Sequence, residues 1–181
     1  IGEIRDRETM SAALSYAQSG HLVLATMHAS NSYQALTRIL SFYPVEVRPS
    51  LLGDLASGLR AVISQRLLRT VKGTRVPAVE VLLNTKLVAE LMEQGNFSAV
   101  RDAMVNSIAE GSQTFEAAIA TLVTDGLVER EEGMAHADSP TNLLWRLQND
   151  FMGKNRPKSA TPDADPDDTP SFTEIVLEVK H

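Results

Sequence analysis

The residues best suited to chemistry lie in two short stretches near the amino terminus. The first stretch is IGEIRD, residues 1–6, in which Glu3 follows a glycine. A carboxylate within hydrogen-bond reach of a water molecule can orient that water and accept its proton. A Gly-Glu pair taken alone is most often a solvated carboxylate, so Glu3 gains a chemical role only from its context.

The second stretch is GHLVLATMHASN, residues 20–31, an apolar run with a polar end. A short apolar run between a glycine and polar residues is typical of a strand buried on both faces of a parallel sheet, and we predict a strand from Leu22 to Thr26. In extended backbone, Thr26, His28 and Ser30 would alternate onto one side. Ligands of α/β proteins bind at the carboxyl ends of strands, so we expect a polar site here, although a lone histidine at a strand end is usually structural.

Helix caps and apolar spacing predict the elements that position these residues. Asp6 is suited to cap a helix with Met10 and Leu14 on its buried face, and Gly20 is suited to end it. Three more elements are predicted before residue 85: a helix that starts after Ser30 or Asn31 and ends before Pro44, a helix from Val47 to Leu59, and a β-hairpin of residues 61–68 and 76–83 around Lys72-Gly73 at the edge of the sheet.

The remainder of the chain changes in character twice. Residues 85–152 carry apolar stripes at helical spacing, separated by Gly95, Gly111 and Gly126, which predicts a small all-α domain. Residues 153–181 are rich in Pro, Ser and Asp, which predicts a disordered acidic linker and tail. The expected order is therefore an α/β part over residues 1–84, a helical domain over residues 85–152 and the tail.

Composition limits the classes of protein to consider. The 181 residues include no cysteine and carry a formal net charge of -6. A disulfide framework and thiolate metal sites are thus excluded, and there is no overall basic field to attract nucleic acid. No apolar run approaches the roughly 20 residues that a membrane-spanning helix needs.

The two stretches also carry a family resemblance. The pattern G-E-x-R-D in residues 2–6, followed by G-H-L-V-x-x-T-x-H in residues 20–28, resembles the Walker B end and the His box of the secretion ATPase superfamily. Within it the chain is most similar to the type IV pilus retraction ATPases of the PilT/PilU family, on the PilU side, up to about residue 151. The resemblance implies an α/β fold class, the C-terminal half of a RecA-like P-loop ATPase core followed by the helical domain.

The resemblance assigns roles to particular residues. It matches Glu3 to the catalytic glutamate that polarises the attacking water. It implies a nucleotide-binding group of His28, Thr26, Arg5 and Gln65, and a structural or interface group of Asp6, His21 and Arg38. Plainer accounts stay open for some of them: Asp6 as a helix cap with Arg5 as its ion-pair neighbour, and Gln65 as a polar residue satisfied within the sheet.

The resemblance further implies an ATP-hydrolysing hexameric motor that powers pilus retraction and twitching motility. ATP and Mg²⁺ would be its cofactors, with their main ligands in a G-x-x-x-x-G-K-[ST] loop, which these 181 residues lack and which we expect upstream. We therefore read the chain as a C-terminal fragment, inactive alone and without a metal site of its own. Implied partners are further copies in a homo-hexamer, another retraction ATPase and an inner-membrane platform protein, at the cytoplasmic base of the pilus.

Two other functions remain open. The family's retraction element contains arginines, and this chain has LVAELME at residues 87–93 in that place. That difference fits a non-catalytic accessory subunit that docks on an active retraction ATPase. An assembly ATPase of type II secretion is the other alternative.

Overall fold

The computed structural model describes residues 1–106 and 109–154, with the side chains of residues 150–154 left aside. The expected tail at 153–181 thus lies almost wholly outside the described residues. The described part contains eight α-helices, one β-hairpin and a short 3₁₀ helix, Val45–Val47. The α-helices and strands are α1 Arg7–Gln18, α2 Ser32–Ser41, α3 Arg48–Gly58, β1 Ala61–Arg69, β2 Arg75–Leu83, α4 Lys86–Glu93, α5 Phe97–Val105, α6 Phe115–Thr124, α7 Arg130–His136 and α8 Pro140–Lys154.

The first helix begins and ends where its caps predict. The Asp6 carboxylate accepts a hydrogen bond of 2.8 Å from the backbone N–H of Thr9. At the other end Gly20 adopts a φ of 92°, which favours glycine, and the His21 N–H donates to the Tyr16 carbonyl oxygen at 3.1 Å. The helix therefore delivers the chain to residue 21 in a fixed direction.

The prediction of a strand from Leu22 to Thr26 is wrong, because the structure has no regular strand at these residues. Within the described residues this segment is hydrogen-bonded on one side only, to residues 1–4, through the carbonyl oxygens of Leu24 and Thr26. Leu22 is 83% exposed and Leu24 73% exposed, whereas Val23 packs against the core. A strand buried on both faces needs cover on both sides, and this segment has cover on one.

The predicted β-hairpin is confirmed. β1 and β2 pair antiparallel from Ala61 opposite Leu83 to Arg69 opposite Arg75, and Gly73 adopts a φ of 79° in the turn between them. The sheet has two strands in the described part of the chain, so the expected larger sheet around the hairpin does not form there. One face of the hairpin packs on helices, and the other face, with Ile63 and Leu67, is exposed.

Three clusters of apolar side chains hold the helices together. One lies between α1, α2 and α3 around Leu55, and another joins α2, α3 and β2 to α4 and α5 around Met92. The third packs α6, α7 and α8 on the hairpin around Phe115. Because α2 contributes to two of these clusters, it packs against α1 and α3 in one and against α3, β2, α4 and α5 in the other. The division of domains at residue 84 stays a prediction.

Candidate functional site

The two motifs lie side by side. The terminal amino group of Ile1 donates to the Leu24 carbonyl oxygen at 2.8 Å, and the Ile4 N–H donates to the Thr26 carbonyl oxygen at 2.8 Å. The Thr26 hydroxyl donates to the carbonyl oxygen of Gly2. Both segments advance in the same direction, as neighbouring parallel strands do, and this arrangement brings residue 3 next to residue 28.

Glu3 occupies the centre of this arrangement. One carboxylate oxygen accepts a hydrogen bond from the Arg5 guanidinium, and the other lies 3.1 Å from Nε2 of His28. The side chain of Glu3 is 21% exposed, while that of His28 is 81% exposed. The alternative account in which Arg5 pairs with Asp6 is wrong, because Arg5 pairs with Glu3, while Asp6 caps α1 as that account has it.

The charges around Glu3 keep it ionised. The hydrogen bond from Arg5 is the largest cause that lowers the pKa of Glu3; desolvation opposes it, and the positive charges of Arg5, His28 and Arg38 add to the lowering. The same contact raises the pKa of Arg5. Glu3 is therefore a carboxylate at neutral pH, and because each carboxylate oxygen has two lone pairs, it can accept a further hydrogen bond, for example from a water molecule.

The other predicted site residues are more dispersed. Arg38 lies near the end of α2 and is close enough to lower the pKa of Glu3. His21 contacts the end of α1, with Nδ1 at 3.0 Å from the Ser19 hydroxyl and its ring edge-on to Tyr16 at 5.8 Å. Gln65 lies on the exposed face of β1. The structure therefore groups Glu3, Arg5, Thr26 and His28, with Arg38 near them, while His21 and Gln65 line the same open cleft without joining the group.

The amino terminus of α2 follows His28 closely, and its first amides are already occupied. The Ser32 N–H donates to Oε1 of Glu80 at 2.7 Å, and the Gln34 N–H donates to Oδ1 of Asn31 at 3.0 Å. Helix amino termini commonly bind phosphates through such free N–H groups. Here the protein's own acceptors occupy the amides of Ser32 and Gln34, so these two N–H groups are not free to bind a phosphate.

Glu80 was missed as a special residue in the sequence, and so were Arg66 and Asp138. Glu80 is 4% exposed, and burial raises its pKa. The signal for it was available, because Glu80 alternates with Ala78 and Leu82 on the buried face of β2. No comparable sequence signal marked the contact of Arg66 with Asp138.

Known proteins resemble this chain over most of its length. The model of the family described as "Type II/IV secretion system protein" matches residues 1–131. The chain belongs to this family. The type IV pilus ATPase PilU of Pseudomonas aeruginosa is 43% identical over 149 residues, which cover 82% of this chain and 39% of the relative. The pilus retraction ATPase PilT of the same organism is 32% identical over 143 residues, 79% of this chain and 42% of the relative.

A solved structure supports the same family membership. The crystal structure of the pilus retraction motor PilT with bound ADP matches with a TM-score of 0.71 and 30% identity, covering 80% of this chain and 40% of that one. The expected PilT/PilU-type secretion ATPase family and its α/β fold class are thereby confirmed. The chain spans about two fifths of the length of the relatives it matches.

Two further observations concern ions and membranes. Within residues 1–106 and 109–154 there is no group of three or more His, Asp or Glu side chains placed to hold a metal ion. None of the helices described is both long enough and apolar enough to span a bilayer.

Proposed function

We propose that the whole protein is an ATP-hydrolysing motor that drives type IV pilus retraction. The observation that carries the proposal is the ionised Glu3 carboxylate between Arg5 and His28, at the point where the two family motifs meet. The likeness to PilU and PilT, including a PilT structure with bound ADP, supports a nucleotide as the substrate. Hydrolysis transfers the terminal phosphoryl group to water, which needs a group that aligns that water.

The residues present fit one side of a triphosphate site. Arg5, His28 and Arg38 supply exposed donors or positive charge around Glu3, suited to phosphate oxygens. When a phosphate draws Arg5 or His28 away, the freed oxygen of Glu3 can bind the attacking water and accept its proton. Magnesium would be held mainly by the phosphates and by the loop residues expected upstream.

An open cleft beside these residues leaves space for the other side of the site. An open cleft of about 1940 Å³ is lined by Leu22, Leu24, Ile63 and Gln65, among others. Pockets for small ligands usually measure about 300–1,000 Å³, so the cleft has room for more than a nucleotide. We assign it to the strand and phosphate-binding loop of the whole protein, which would cover the exposed leucines. The isolated chain of 181 residues is then expected to hydrolyse no ATP.

The assembly of the whole protein belongs to the same proposal. We expect a homo-hexamer at the cytoplasmic face of the inner membrane, at the base of the pilus, in contact with a platform protein and, in some states, with another retraction ATPase. The family's retraction element contains arginines, whereas α4, Lys86–Glu93, which stands in its place, contains none. That difference fits an assembly in which another retraction ATPase takes part.

The test is ATP hydrolysis by the whole protein carrying Glu3→Gln. We expect turnover to fall by about a hundredfold or more, because the amide cannot accept the proton of the water. The matched control is Glu8→Gln, an exposed carboxylate in the first turn of α1, which is expected to leave the rate unchanged. Normal turnover in Glu3→Gln would refute the role of Glu3, and a whole wild-type protein without ATPase activity would favour the accessory subunit.

A further inference from the structure

Arg66 touches three separate parts of the chain. One guanidinium nitrogen donates to the His136 carbonyl oxygen at 2.6 Å, and another donates to the Ser30 carbonyl oxygen at 2.9 Å and to Oδ1 of Asp138 at 2.5 Å. The guanidinium also lies 4.0 Å from the centre of the Phe115 ring. A planar group with several donors can bind such a set of acceptors at once, which a lysine cannot do.

Asp138 makes a second connection to the same loop. Its Oδ2 accepts a hydrogen bond of 3.0 Å from the side-chain amide of Asn31. The other side-chain atom of that amide group, Oδ1, caps α2 by accepting the Gln34 N–H. Asn31 is buried, and the side chains of Arg66 and Asp138 are only 18% and 15% exposed, so the contacts of Asp138 with Arg66 and Asn31 are partly shielded from solvent, whereas the hydrogen bond from Arg66 to Ser30 is exposed.

We propose that Arg66 and Asp138 are positioning residues that hold the loop bearing His28 against the corner between α7 and α8. We call the set Ser30, Asn31, Arg66, His136 and Asp138 the Arg66 junction. It makes the placement of a loop near residue 28 depend on a corner more than 100 residues later in the chain. This inference goes beyond the proposed function, since it concerns the free chain and needs no nucleotide.

The consequence for His28 follows from its surroundings. Its side chain is largely exposed, and the partner recorded for it among the described residues is Glu3. The backbone therefore has to place the imidazole. Before His28 the backbone is held by the hydrogen bond from the Ile4 N–H to the Thr26 carbonyl oxygen and by the packing of Met27 on the core. After His28 the first hydrogen bond from another element is that of Arg66 to the Ser30 carbonyl oxygen. Releasing Ser30 and Asn31 would let the distance between His28 and Glu3 vary.

Hydrogen exchange of the 181-residue chain tests the junction. We expect Asp138→Ala to accelerate exchange at backbone amides of residues 28–34 by about tenfold or more, as for the loss of a charge-assisted hydrogen bond. Exchange in α3, which contributes nothing to the junction, should stay the same. The matched control is Asp125→Ala, an exposed aspartate that follows α6, and it should leave residues 28–34 as protected as in wild type.

Two further readouts separate positioning from a general loss of stability. The ring-proton NMR signals of His28 should shift in Asp138→Ala, while those of His21, held by Ser19 and Tyr16, should not. The variant Arg66→Lys keeps the charge but not the fork of donors, and it should resemble Asp138→Ala. The double variant Arg66→Lys with Asp138→Ala should accelerate exchange at residues 28–34 by less than the two single effects combined, because both substitutions act through one junction.

Two results would overturn the proposal. One is acceleration in Asp138→Ala confined to residues 134–142, and the other is an additive double variant. If α3 also loses its protection in Asp138→Ala, that variant has lost the fold. The milder variant Asp138→Asn then replaces it, and the same two results would overturn the proposal. An inactive whole protein would contradict the proposed function and leave the junction standing, since neither measurement uses a nucleotide.

Discussion

Replacing Gly133 by alanine sets two opposing effects against each other in α7. This glycine is buried, and a Cβ atom at its position would lie 3.0 Å from Cγ2 of Ile119, 3.0 Å from Cγ2 of Val123 and 3.7 Å from Cδ2 of Leu143. The first two distances are shorter than nearly all real contacts of a Cβ atom. The helices α6 and α7 therefore approach each other as closely as a glycine allows.

The magnitude follows from the two effects. Alanine in a helix interior is favoured over glycine by roughly 0.5–1 kcal/mol. Forcing an extra carbon into a packed core costs about 1–3 kcal/mol. Ile119 is fully buried and has no room to retreat, whereas Val123 is half-buried and can yield by a few tenths of an ångström. We expect the packing cost to win, with a net loss of about 1–2 kcal/mol in the free energy of unfolding.

Equilibrium urea denaturation measures this loss, and the chain offers a matched control. Gly53 lies within α3, exposed, with no atom within 4 Å of the added Cβ. Gly53→Ala should therefore raise the free energy of unfolding by about 0.5–1 kcal/mol. Adding Val123→Ala to Gly133→Ala makes room for the new carbon. The double variant should therefore lose less free energy of unfolding than the sum of the losses of the two single variants. Stabilisation by Gly133→Ala equal to that by Gly53→Ala would refute the reasoning.

Two other substitutions test single contacts. Asp6→Ala removes the acceptor of the Thr9 N–H and should lower the free energy of unfolding by about 1 kcal/mol at neutral pH, whereas Asp6→Asn, which can still cap, should keep most of it; equal losses in urea denaturation would contradict the cap. Glu80→Gln tests burial of a charge. Because burial raises the folded-state pKa of Glu80, its contribution to stability is fully present below about 4.5 and is lost as pH rises through the folded-state value. The stability of Glu80→Gln relative to wild type should therefore rise over that interval, and a difference independent of pH would argue against it.

Local chemistry made the helix boundaries predictable. Asp6 and Asn31 each accept an N–H group of the helix that follows, and Gly20 takes the positive φ that ends α1. Each of these contacts joins residues at most a few positions apart, so the sequence contains both partners in one window. The same holds for the turn of the hairpin at Gly73.

The strand at Leu22 to Thr26 shows where local patterns fail. Its composition fits a buried strand, but burial depends on what lies beside the strand, and in the described residues only one side is covered. The contact of Arg66 with Asp138 could not be predicted from the sequence for a related reason. It joins residues 72 positions apart, and charge alone does not select partners at that separation.

The candidate site was predictable as a group and less so in its pairs. The order of the motifs predicted that Glu3 and His28 belong together, and their contact is present at 3.1 Å. One of the accounts left open for Arg5 paired it with its sequence neighbour Asp6, and the structure contradicts that account. In extended backbone, residues two apart lie on the same side, which joins Arg5 to Glu3, while Asp6 turns away to begin α1.

The sequence separations within the Arg66 junction have a consequence for how the chain acquires its structure during synthesis. Ser30 and Asn31 emerge from the ribosome more than 100 residues before Asp138, and Ser30 can meet Arg66 only after β1 has been synthesised. Contacts between such distant residues form late, because the intervening chain must first be ordered. The loop beside Glu3 should thus be among the last parts to become ordered, and a nascent chain stopped before residue 138 would carry Glu3 with its neighbouring loop still unordered.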